Sequence, residues 1–200
     1  PPPSATGATE SWNGTNWTEV NDLNTVRAQL TGTGIQTAAL VVGGSPGTLA
    51  VTESWNGTNW TEVNDLNTGR YALAAGGTQT AALAFGGGSP GASALTESWN
   101  GTNWTEVNDL NTARFALAGA GVTNTAALAF GGQPPVTGVT EEWNGTNWTE
   151  VADLSTVRES LAGTGTQASA LAVGGASSVT AATEEWTGAG SPVVQTFTDS

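Results

Sequence analysis

The chain has 200 residues, 38% of them hydrophobic, and a net charge of −13 set by 17 acidic residues against four arginines. So acidic a surface cannot displace counterions from a polyphosphate backbone, which excludes nucleic acid as a partner and disfavours an anionic membrane surface. Cys, His, Met and Lys are all absent, which removes disulfides, thiolate and imidazole catalysis and the usual zinc ligand sets.

No segment reads as a signal peptide or as the run of about 20 apolar residues that crosses a membrane. The start on Pro1-Pro2-Pro3 reads as a processed product or a part of something longer. A Gly-, Thr- and Asn-rich acidic chain invites a reading of disorder. Nine tryptophans in fixed phase argue instead for a packed core.

The first predicted element is a hairpin in residues 9–25, TESWNGTNWTEVNDLNT, with one strand ending at Trp12 and another starting at Asn16. Asn13-Gly14 makes the reversal, because both residues tolerate positive φ. After Arg27 come a short strand of small residues, a turn, and an apolar run that stops at Gly43-Gly44. A Gly/Pro loop follows, and the same 17 letters return at 52–68 and again at 96–112. A close variant, TEEWNGTNWTEVADLST, occupies 140–156, and a degenerate fifth copy surrounds Trp186. There Ser191 replaces the second Trp, while Val194 and Phe197 keep the apolar positions.

In the unit from Arg70 to Thr112 the four predicted strands are YALAAGG, AALAFGG, ALTESW and NWTEVNDL. The second is apolar without alternation, as expected of a strand covered on both faces. No segment shows helical periodicity, so the chain is expected to be all-β. The first tryptophans fall at Trp12, Trp55, Trp99, Trp143 and Trp186, in steps of 43, 44, 44 and 43 residues. That spacing is the size of one four-stranded propeller blade. Length variation is expected between strands, never within the Trp hairpin.

Four features in phase resemble the kelch-repeat β-propeller family: a Gly-Gly doublet, a strand-three aromatic, a strand-four Trp and an Arg before the next unit. In one unit these are Gly43-Gly44, Trp55, Trp60 and Arg70, with Val63 and Leu66 at the apolar positions that follow the second Trp. The strand-three aromatic is Trp where that family usually has Tyr, and the hairpin is shorter. The chain therefore also looks like the Trp-hairpin arrays of marine phage appendage proteins. The resemblance implies a single β-propeller domain over residues 1–200, in units 1–25 (a half blade), 26–68, 69–112, 113–156 and 157–200. This makes 18 strands and about five blades, the first incomplete.

Three completions of the half blade stay open. Upstream chain supplies the inner strands, or the N-terminal hairpin closes onto residues 158–175 and displaces the degenerate end, or another subunit supplies them. The five-blade arrangement is the expectation, with residues 1–25 as the site of assembly.

Candidate site residues fall on the repeat. The strand-three aromatics Trp12, Trp55, Trp99, Trp143 and Trp186 are candidate sugar-stacking platforms, set against a core role between blades. Arg27, Arg70, Arg114 and Arg158 read as structural arginines pairing with a carboxylate or with carbonyls of the adjacent blade. Overlapping N-x-T sequons place candidate glycosylation at Asn13, Asn16, Asn56, Asn59, Asn100, Asn103, Asn144 and Asn147. The competing reading there is turn chemistry. Glu19, Asp22 and their repeats lack calcium-loop spacing and read as solvated acids.

No catalytic residue, metal ligand or cofactor is assigned. A copper-radical oxidase on a kelch frame needs Tyr, Cys and His ligands, and Tyr71 is the one tyrosine. The expected function is a non-enzymatic structural or receptor-binding module, extracellular or on a virion surface. Its expected partners are neighbouring subunits or upstream chain, with cell-surface glycans as ligands. The alternative is a lectin with one site per blade.

Overall fold

The computed structural model describes residues 5–176, 181–188 and 193–195. Pro1, Ser191, Phe197 and Ser200, which anchor the repeat register at the two ends, lie outside the described residues, and Val194 is described only as part of a strand. Among the described residues there is no helix.

The chain opens with a two-stranded sheet, β1 (Thr9–Trp12) and β2 (Trp17–Val20). Four antiparallel four-stranded sheets follow, each a simple meander. They are β3 (Thr31–Ile35), β4 (Ala38–Val42), β5 (Thr52–Trp55) and β6 (Trp60–Val63); then β7 (Ala74–Thr78), β8 (Ala81–Phe85), β9 (Thr96–Trp99) and β10 (Trp104–Val107); then β11 (Ala118–Thr123), β12 (Ala126–Phe130), β13 (Thr140–Trp143) and β14 (Trp148–Glu150); and last β15 (Ala162–Thr166), β16 (Ser169–Val173), β17 (Thr183–Trp186) and β18 (Val193–Gln195). The expected 18 strands are all present. The inner strands pack side by side, β3 on β7, β7 on β11 and β11 on β15. The fold is an all-β propeller of four complete blades plus a partial sheet.

Inner strands are made of Gly, Ala and Thr because neighbouring blades converge there. A Cβ on Gly163 would lie 2.5 Å from the Gly119 carbonyl oxygen. The Gly-Gly doublet answers a similar limit: Gly43 has φ 68°, and a Cβ on it would meet the Arg70 carbonyl at 2.4 Å.

Each core lies between blades. The faces of β4, β8, β12 and β16 alternate, so Leu40 and Val42 look toward the next blade and meet Leu73, Ala82, Ala84, Trp99 and Trp104. Leu83 and Phe85 repeat this against Leu117, Ala127, Ala129, Trp143 and Trp148. Each such side chain, fully buried, stabilises by about 1.5–3 kcal/mol.

Two expectations need correction. The extra residue of the unit that begins at Arg114 does not sit in a turn. It is absorbed as a bulge between Gly121 and Thr123 at the end of β11, where Val122 is exposed. First strands also start later than read, at Ala74 rather than Tyr71, because Ala72 has φ 49° and breaks the extended run.

Candidate functional site

Each arginine is 0–1% exposed and pairs with the strand-three glutamate of the blade it leads into, not of its neighbour. The pairs are Arg27–Glu53 (2.8 Å), Arg70–Glu97 (3.0 Å), Arg114–Glu141 (3.0 Å) and Arg158–Glu184 (2.8 Å). The Arg70 fork also donates to the carbonyls of Gly86 and Leu95, tying the doublet to the strand. Burial pushes Arg27, Arg70 and Arg114 below the ordinary guanidinium range, opposed by the carboxylates of Glu53, Glu97 and Glu141 respectively. With their guanidinium groups buried in this way, the arginines offer no anion-binding surface.

Blades are joined by a repeated set of bonds. Trp104 Nε1 donates to Thr52 Oγ1 of the preceding blade (3.1 Å), as Trp148 does to Thr96 (3.0 Å) and Trp60 to Thr9 (3.1 Å). Asn67 donates through its backbone and side-chain nitrogens to Glu97 of the next blade, and Asn111 does so to Glu141.

Of the strand-three tryptophans, Trp55, Trp99, Trp143 and Trp186 are 1–8% exposed, with Nε1 bonded to the carbonyls of Gln36, Gln79, Asn124 and Gln167. A stacking platform needs a free ring face, and the burial of these four favours the core role of the two readings. Trp12 is 44% exposed, and its hairpin partner Trp17 is 64% exposed. Trp99 and Trp104, in the same sequence, are 2% and 6%.

The sequon asparagines are exposed and serve the turns. Oδ1 of Asn13, Asn56, Asn100 and Asn144 accepts the next two non-glycine backbone N–H groups, each at 2.9 Å. Asn59, Asn103 and Asn147 accept at Oδ1 from Asn21, Asn64 and Asn108 of the preceding blade. Asn16 donates its N–H to the Asn13 turn. Of the repeated acids, Asp22 accepts from the Thr9 N–H at 3.2 Å, as Asp65 does from Thr52 at 3.0 Å.

The residues that differ between units gather at one end of the axis. By register, Thr31, Val42, Thr52 and Val63 stand in one row across their blade, on the side of the Arg segments and post-doublet loops. The second residue after each arginine is left-handed: Gln29 (φ 54°), Ala72 (49°), Ala116 (53°) and Ser160 (52°). This turns their peptides around the axis. Ala72 donates its N–H to the Gln29 carbonyl (2.8 Å), Ala116 to Ala72 (2.8 Å) and Ser160 to Ala116 (2.7 Å).

The rim encloses a cavity of about 430 Å³ lined by Gln29, Ala72, Phe115, Ala116, Gln133 and Ser160. Tyr71 and Phe115 pack at 6.2 Å beside it, and Tyr71 donates to the Pro90 carbonyl. Glu159 Oε2, one residue before Ser160, is buried without a hydrogen-bond partner among the described residues. Aromatic faces beside amides and a hydroxyl suit a ligand with apolar C–H faces and many hydroxyls. At the opposite end a cavity of about 700 Å³ is lined by Thr33, Gly34, Ile35, Thr78, Gln79 and Thr164 among others, mostly repeat residues and backbone.

The rim was not singled out in the sequence. Its signal was there: the two residues after each arginine read Ala-Gln, Tyr-Ala, Phe-Ala and Glu-Ser, while the hairpin beside them hardly changes.

Among the described residues no three His, Cys, Asp or Glu side chains converge as a metal site. No protein-family model matches the chain, and no curated protein matches it.

Proposed function

We propose that this chain is a non-enzymatic structural and receptor-binding module of an extracellular assembly, in its finer reading a kelch-like virion or phage appendage. The observation that supports it is the division of labour in the blade. Ion pairs, Trp–Thr bonds and Asn staples repeat almost unchanged, while chemistry varies at the axial rim around Phe115 and Gln133. A uniform frame with a varied rim suits recognition, as loops on a rigid scaffold do. In this reading cell-surface glycans belong at the rim.

The lectin alternative with one site per blade loses its platforms to burial in four of the five strand-three positions. Glycan-array screening followed by calorimetry on the best hit tests both readings. One site per chain, abolished by Phe115→Ala, supports the rim. Four or five equivalent sites insensitive to Phe115→Ala restore the lectin reading, and turnover of any glycoside overturns the non-enzymatic one.

A further inference from the structure

The two ends of the array carry complementary unused groups. Among the described residues, the Gln29 N–H of the first complete blade makes no backbone bond and the Arg27 carbonyl accepts none, although Ala72 N–H and the Arg70 carbonyl, their equivalents, are both bonded. At the last blade the Ser160 carbonyl and the Gly175 N–H are, among the described residues, the unused members of the same two bonds, which elsewhere run Ala116 to Ala72 and Gly87 to Arg114. Apolar faces match in the same way. Leu171 and Val173 are 39% and 40% exposed where Leu83 and Phe85 are 0%. Across the gap, Ile35 is 69% exposed and Ala39 half-buried. Both ends line the same two axial cavities, so they face each other around one axis.

The two terminal hairpins also compete for one place. β17 pairs with β16 through Thr183, Glu184 and Trp186, and β1 offers the same types in the same order, Thr9, Glu10 and Trp12. Glu10 has no arginine, whereas Glu184 occupies Arg158. The last hairpin lacks the second Trp, since the sequence places Ser191 there. An apolar gap among Leu128, Phe130, Thr140, Ala172 and Trp186 lies between the last two blades. In the preceding interface the Trp148 ring sits 4.9 Å from Phe85 and bonds Thr96. Phe130 and Thr140 are the equivalent partners, and among the described residues Thr140 Oγ1 receives no indole. Trp17 is the 64% exposed ring that fits them.

We infer that the chain closes into a four-blade ring in which its own N-terminal hairpin, residues 9–20, docks on the edge of β16 and displaces β17 and β18. The hairpin keeps its bonds to the next blade, Trp60 to Thr9 and Asn24 to Glu53, because these already have the interblade form. It gains Arg158 for Glu10, Thr140 for Trp17 and cover for both exposed indoles. Gln29 meets Ser160, Gly175 meets Arg27, and the ring has no open face.

A cysteine pair tests this cleanly in the full chain, which has no cysteine of its own. Ser54 stands opposite Leu40 in a complete blade, so Ser11 stands opposite Leu171 in the closed ring. Cα atoms so placed are about 4.5–5.5 Å apart, within disulfide range. The variant Ser11→Cys/Leu171→Cys is expected to oxidise to one disulfide within a monomer. Persistent free thiols, or disulfide-linked dimers, overturn the proposal. As a second reading, Trp17→Ala should lower the melting temperature by roughly 10 °C, as burial of the ring requires. A shift under about 2 °C marks a ring that stays in solvent and overturns it.

Discussion

The two ends of each blade obey different rules. At the turn end, where Gly34, Ala39, Trp55 and Trp60 stand in one row, sequence is repeated nearly letter for letter, and its side chains bond to the blade next door. At the rim end the frame beneath is equally constant, Arg over Glu, but the residues above it change from Ala28-Gln29 to Tyr71-Ala72 to Phe115-Ala116 to Glu159-Ser160. The difference teaches where the fold tolerates change. A turn-end residue has a partner fixed by the following blade, so a substitution strands that partner. A rim residue is held by its backbone, through the left-handed step and the bond to the previous blade, and its side chain is left free to vary.

The hardest way to break this division is to cut the frame below the rim. Arg114→Ala leaves Glu141 buried without its counter-charge and takes from the Gly131 carbonyl its guanidinium donor. The expected loss is about 3–5 kcal/mol, read as a lower urea midpoint at unchanged slope; Arg114→Lys should recover little, since a single ammonium does not reproduce the fork. An intermediate effect is expected between blades. Thr52→Val removes the acceptor of the buried Trp104 indole N–H and should cost about 1–3 kcal/mol; a change under a few tenths would show that this bond does not join the blades. The smallest effect belongs to the rim. Ala116→Gly relieves a left-handed alanine, whose strain of about 1–2 kcal/mol is offset in part by glycine's larger entropy loss of about 0.5–1 kcal/mol. Stability should rise by up to about 1 kcal/mol, and a decrease would mean that the rim is not strained.

Much of the frame was legible in the letters. β8 and β12 begin and end where the apolar runs AALAF do, because a strand covered on both faces leaves an unbroken apolar run. Asn-Gly located the hairpin turns, because that dipeptide has few other uses between strands. The arginine slot was readable as structural, since a charge repeated in phase with core residues has to be buried with a partner. Which partner was not readable. Glu53 and Glu62 face each other across β5 and β6, and only the fold directs the first of them to Arg27 while its neighbour stays in solvent. The letters alone left the tryptophans open between platform and core, because identical letters carry no record of what covers them, as Trp12 and Trp99 show. The rim escaped notice for a different reason: a left-handed Ala or Gln has no compositional mark of the kind glycine provides.

The Trp–Thr and Asn–Glu bonds recur with the same donors and acceptors at successive junctions. One whole unit can therefore be spliced in or out, and the blades on either side of the cut still recognise each other. For a gene built of near-identical segments, unequal recombination would change length by about 43–44 residues at a time and leave each new junction already fitted. The number of units is then a heritable variable that natural selection can tune without first inventing a new contact.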